Sequence, residues 1–146
     1  MVLLGLALAI FALPNLNKDA LAEYPYVPNA LLGIVIVLYG VIAAYFFVLL
    51  QSWKLLVLID QNKAFSKFSV DAFRNIKFSS LIGGLLLIVG FVPFLYPIAE
   101  KDDAPGLLLY GFLFACIPIV VSVFAAVLEK LFQNAVDIKS ENDLTV

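Results

Sequence analysis

Twenty-one consecutive residues, Ala30–Leu50, carry no charge. As a helix they cover about 31 Å at roughly 1.5 Å per residue, the thickness of a hydrocarbon core of about 30 Å. Two further runs, Phe78–Ile98 and Gly106–Leu128, are equally uncharged. Of the 146 residues 64% are hydrophobic and 14% charged, with a mean hydropathy of +1.06. Ordinary soluble domains are about 45–50% apolar and about 25% charged. A core of this size has no room for so much apolar surface, so the solvent must be lipid.

An earlier apolar run, Val2–Leu13, is shorter and reaches a span only when extended through Pro14 and Leu16. Three readings compete for it. It is a short first membrane helix, a signal-peptide core with Ala20-Leu21-Ala22 as a small-residue cleavage site, or a re-entrant segment. The absence of a basic region before it favours the short helix. The expected architecture is therefore an all-α membrane protein, one domain over 1–146. It is a four-helix transmembrane bundle with a short first helix and cytoplasmic helical extensions, its spans at about 2–16, 30–50, 78–98 and 106–128.

Between the second and third spans lies Lys54–Phe78, which holds five of the nine basic residues: Lys54, Lys63, Lys67, Arg74 and Lys77. The polar connection Asn15–Pro28 has one (Lys18), the acidic turn Glu100–Asp103 one (Lys101), and the tail 129–146 two (Lys130, Lys139). Basic residues concentrate on the cytoplasmic side. This places the 54–78 segment, the tail and both termini there, in a bacterial inner membrane. Tyr24, Tyr26 and Trp53 stand at span ends, where interfacial aromatics belong.

Locally, Leu55–Ile59 carries the second helix past the membrane surface, and Asp60–Lys67 is the turn. Ser69 is the expected N-cap of the next helix, with Phe68 and Phe73 as its hydrophobic staple. Ser79, Ser80, Gly83 and Gly84 form overlapping small-xxx-small pairs. We read them as packing within one subunit rather than as a dimer face, although a homo-oligomer is compatible with them. Pro93 and Pro97 bend or end the third helix, and Pro118 kinks the fourth. Leu128, Leu131, Phe132, Ala135 and Val136 recur at spacings of three and four, an amphipathic helix leaving the bilayer. We expect it to pack on the Ser69–Lys77 helix, with Phe73 and Ile76 facing Leu131 and Phe132. The candidate cytoplasmic interaction face is then Lys54, Asp60, Lys63, Phe65, Lys67, Phe73, Arg74, Ile76, Lys77, Leu131 and Phe132.

Three stretches carry a resemblance: Leu58-Ile-Asp-Gln-Asn-Lys-Ala-Phe-Ser66, the Lys101-Asp-Asp-Ala-Pro-Gly106 turn, and Asp137-Ile-Lys-Ser-Glu-Asn-Asp-Leu-Thr-Val146. With these the chain resembles the bacterial membrane family labelled domain of unknown function 2975. The resemblance implies a four-helix membrane protein with no established activity, usually with a longer, charged N-terminus than this chain shows. It also implies a regulatory partnership, because genes of that family often lie beside one for a small helix-turn-helix transcription regulator.

Chemistry is constrained mostly by what the sequence lacks. It has no histidine, hence neither the commonest general base nor the commonest metal ligand, and Cys116 is alone. No acid or base falls inside the spans to serve ion coupling or to activate a serine. Tyr39, Tyr45, Ser79, Ser80 and Ser122 are read as helix hydrogen bonders. Glu100–Asp103 is a solvated turn without a full calcium or magnesium ligand set. The expectation is a non-enzyme with no cofactor and no metal, its partners the bilayer and a soluble transcription regulator, with no direct nucleic-acid contact. Each basic residue at an anionic inner leaflet is worth roughly 1 kcal/mol, which accounts for much of the 54–78 charge. The alternative is a membrane-acting immunity or envelope-stress protein, or a small oligomeric pore.

Overall fold

The computed structural model describes residues 7–23, 25 and 28–144. Tyr24 and Tyr26, the expected anchors, lie outside the described residues, as do residues 2–6 of the Val2–Leu13 run.

Helical backbone begins as a π turn, Leu8–Ala12, and continues as α1 (Leu13–Glu23). The polar connection expected from Asn15 onward is thus helical as far as Glu23. Its Leu, Lys, Ala and Glu residues are good helix formers, and Asn15 folds its amide back to donate to the Phe11 carbonyl at 2.9 Å. The rest of the chain is α2 (Pro28–Asp60), α3 (Lys67–Leu86), a π turn Leu87–Phe91, α4 (Val92–Lys101) and α5 (Pro105–Leu144).

Among the described residues three helical stretches are long and apolar enough to cross a membrane: Asn29–Asp60, Lys67–Lys101 and Pro105–Leu144, of 32, 35 and 40 residues. The described part of the first helical stretch, residues 7–23, is not among them. At roughly 1.5 Å per residue α5 is about 60 Å long, twice a hydrocarbon core, so its last turns extend well past the apolar run that ends at Leu128.

Pro93 and Pro97 do not end the third span. A proline ring in a regular α-helix collides with the carbonyl four residues back. Here the turn just before Pro93 widens instead, and the Val92 N–H bonds the Leu87 carbonyl. A single π turn of this kind absorbs the mismatch, and the helix proceeds to Lys101. α5 likewise runs through Pro118 without interruption.

Both turns end their helices in the same way. Lys63 N–H bonds the Leu58 carbonyl at 2.8 Å and Asn62 N–H the Ile59 carbonyl at 3.0 Å, around Asn62 at φ 57°. Ala104 N–H bonds the Ala99 carbonyl at 2.9 Å, around Asp103 at φ 48°. Asn and Asp are the residues besides glycine that tolerate this left-handed cap.

The next helix starts three residues earlier than its expected cap. Ser66, with extended backbone (φ −135°, ψ 162°), is the N-cap residue of α3. Ser69 lies fully buried inside the first turn, its hydroxyl donating to the Lys63 carbonyl at 3.4 Å. The Phe68–Phe73 staple falls with that cap, since Phe68 is largely exposed.

Packing follows a seam of small residues on each long helix, spaced three and four apart. On α2 it is Ala30, Gly33, Val37, Gly40, Ala44 and Gln51; on α3, Ser69, Ala72, Ile76, Ser80, Gly83 and the following Leu87; on α5, Gly111, Ala115, Ser122, Ala125, Glu129 and Phe132. Without a hydrophobic force between helices in lipid, small seams let backbones approach closely. The α3–α4 rod is central and antiparallel to both neighbours. Gly83 faces Ala44 and Gly90 faces Val37 on α2, while Gly84 faces Ile119 and Leu95 faces Gly111 on α5. The α3–α5 contact is the most extensive, with α2–α3 next.

Candidate functional site

Charged side chains and exposed aromatics gather at the end of the bundle formed by the α2–α3 turn and the last turns of α5. Glu129 is its hub. It is the first charged residue after the apolar run of α5, yet it occupies the seam position that Ser122 and Ala125 hold further up. Its side chain is only 13% exposed. Arg74 Nε donates to Glu129 Oε1 at 2.9 Å, and Lys77 Nζ donates to Oε2. Both cations come from α3, one turn apart. Lys77 is 25% and Arg74 51% exposed, so screening weakens the arginine's share of the attraction. Arg74 also stands 3.7 Å from Asp71, and the Lys77 ammonium lies 4.9 Å from the Phe78 ring centroid.

Next to the ion cluster, Phe132 packs between two rings, 4.7 Å from Phe73 and 5.3 Å from Phe65 by centroids. Among the expected contacts, Phe73 meets Phe132. Ile76 is buried in the α3 seam, but Leu131 is 57% exposed and turns away from it. The helical period explains this: adjacent residues differ by about 100°, and Phe132 already occupies the seam.

The remaining face residues spread apart. Asp60, Lys63 and Lys67 are exposed around the turn and make no ion pair among the described residues. Lys54 lies on the opposite flank, lining a cavity of about 440 Å³ between α2 and α3. Ser79, Ser80 and Gly83 line a separate, almost wholly apolar cavity of about 340 Å³ where α2, α3 and α5 meet, walled by Tyr45 and Pro118. Gly84 points the other way, into α5. Among the described residues no group of three or more His, Cys, Asp or Glu is placed to hold a metal ion.

Two residues outside the expected set matter here. Glu129 was legible as the continuation of the small-residue heptad Gly111-Ala115-Pro118-Ser122-Ala125, a signal that charge counting hides. Gln51, 4% exposed, occupies the seam of α2 in the same way, seven residues after Ala44.

Three apolar helices of membrane length, joined by tight turns and packed through small residues, define a multi-pass helical membrane protein. The chain belongs to the family described as "Protein of unknown function (DUF2975)", whose model matches residues 8–146. It is similar to the "Uncharacterized membrane protein YoaS" of Bacillus subtilis (strain 168), at 42% identity over 149 residues, covering 100% of this chain and 92% of that protein. No solved structure matches the chain.

Proposed function

We propose that the protein is a non-catalytic regulatory or sensory membrane protein. It sits in the inner membrane as a four-helix bundle with both termini in the cytoplasm, and presents the end bearing Glu129 and Phe132 to a soluble protein. A helix-turn-helix transcription regulator is the partner class that the family resemblance implies. The observation that carries this reading is the long α5. Its turns from Glu129 to Leu144 extend about 24 Å beyond the apolar run at roughly 1.5 Å per residue. They are anchored at their base by Glu129 and Phe132 and exposed along most of their outer length. Asp137, Glu141 and Asp143 give the outer part an acidic character, next to a turn carrying Lys63 and Lys67. A rigid rod with such a charge contrast at its base suits a reversible contact whose rate and salt dependence are set electrostatically.

Photo-crosslinking from positions 134, 137 and 141 in intact cells tests this reading. A soluble regulator captured from these positions, and lost when Glu129 and Phe132 are both replaced by alanine, is the expected result. Crosslinks only to lipid, or only to a second copy of this chain, overturn it in favour of a membrane-acting role.

A further inference from the structure

Gln51 poses a problem that the seam does not solve. The residue is only 4% exposed, a polar amide set in a seam of mostly small and apolar residues. An amide at such a position needs polar company, and native structures generally give it protein, water or ligand. The Gln51 side chain lines the cavity of about 440 Å³ between α2 and α3, within the range of small-molecule sites. The other groups around it are Lys54, Asp71 and Asn75, with Trp53 and Phe68. Lys54 makes no ion pair among the described residues. Asp71 has only the loose 3.7 Å contact with Arg74, both side chains being about half exposed.

Position narrows the occupant. The apolar run of α2 stops at Leu50, so the cavity opens at the level where hydrocarbon gives way to headgroups. Trp53 and Phe68 are 68% and 71% exposed at its edge, as aromatics at a membrane interface are. The lining offers a cation, an anion and two amides. A purely anionic headgroup would leave Asp71 facing like charge. A phosphodiester joined to a primary ammonium uses every group: phosphate oxygens accept from Lys54 and the amide N–H groups, while the ammonium donates to Asp71 and the amide oxygens. We infer that the Gln51 cavity is a binding site for the headgroup of an aminophospholipid of the phosphatidylethanolamine type. This inference does not depend on the soluble-partner reading.

The chain contains a single tryptophan, Trp53, in the cavity wall, so its fluorescence reports occupancy directly. The full chain, delipidated in a non-ionic detergent, is titrated with dihexanoyl phosphatidylethanolamine, then with the phosphatidylcholine and phosphatidylglycerol of equal chain length, and with soluble phosphoethanolamine. A saturable change in Trp53 emission with phosphatidylethanolamine is expected, at least tenfold tighter than with the other three. Gln51→Leu and Lys54→Gln should each weaken it tenfold or more, and Asp71→Asn should abolish the preference over phosphatidylglycerol. If Gln51→Leu does not fold, the two rim variants carry the test. Equal responses to all three lipids, or binding indifferent to Lys54→Gln and Asp71→Asn, overturn the site. Soluble phosphoethanolamine binding as tightly as the lipid overturns the lipid assignment.

Discussion

The Ser122 hydroxyl donates to the backbone carbonyl of Lys77 at 2.8 Å, and Glu129, two turns further along α5, accepts from the side chain of that same lysine. One residue of α3 is therefore held at both its main chain and its ammonium by a single seam of α5. The first contact lies within the apolar run of α5 and the second just beyond it. Together they fix how far α3 is slid along α5, which an apolar seam of alanines and glycines specifies weakly.

The ion cluster should be unequal in its parts. Removing a partner from a poorly exposed pair leaves the other charge uncompensated, and Glu129→Gln should cost on the order of 2 kcal/mol, below the 3–5 typical of full burial. Lys77→Gln should cost more than Arg74→Gln, because the arginine is half exposed. Unfolding in detergent followed by circular dichroism ranks the three. An Arg74 effect exceeding that of Lys77 contradicts the burial argument.

Gly84 has no room for a side chain. A Cβ there would fall 2.6 Å from Ile119 Cγ1, whereas one on Gly106 would meet nothing within 4 Å. Gly84→Leu should destabilise by about 1–3 kcal/mol, as overpacking does, and Gly106→Leu should be close to neutral. The same unfolding assay compares them, and equal effects would show that α3 and α5 do not approach closely at Gly84.

The left-handed cap at Asn62 predicts a backbone effect without any side-chain contact. Asn62→Gly should be neutral or slightly stabilising. Asn62→Val, β-branched at φ 57°, should lose about 1–2 kcal/mol. Thermal unfolding of the two variants checks the order, and a tolerated valine would mean that the turn takes another conformation in the membrane.

Phe132 should dominate the docking of the outer part of α5. A double-mutant cycle of Phe73→Ala and Phe132→Ala is expected to give a coupling of about 0.5–1.5 kcal/mol, with Leu131→Ala near zero. Spin labels at Asn75 and Gln133 should report a short, narrow separation, broadened by Glu129→Gln. A long distance in the unsubstituted chain would mean that this part of the helix lies separately on the headgroups.

Topology is tested by thiol labelling of intact cells on a Cys116→Ala background. Cysteines at Lys63 and Ser140 should resist an impermeant reagent, and one at Asp102 should react. Labelling at Lys63 before lysis reverses the orientation that the basic residues imply.

Class, the long spans and the segment between them were legible in the sequence alone, because an uncharged run of about 20 residues has one stable environment and one way to satisfy its backbone there. Tertiary structure decided how these helices meet. Leu131 and Phe132 are equally apolar, and only the seam of α5 turns Phe132 toward Phe73. Ser66 rather than Ser69 stands at the N-cap position of α3, by its extended backbone and without a side-chain capping bond, because the ends of α2 and α3 share one short turn. Local signals allow either serine, while the closure of the turn allows one. Pro93 would end an isolated helix, but a widened turn lets it continue against α2 and α5. Glu129 and Gln51 read in sequence as ordinary polar residues at membrane ends. The small-residue spacing marks the face that each of them shares, while the helix that covers that face is set by a pairing between distant segments that no local pattern specifies.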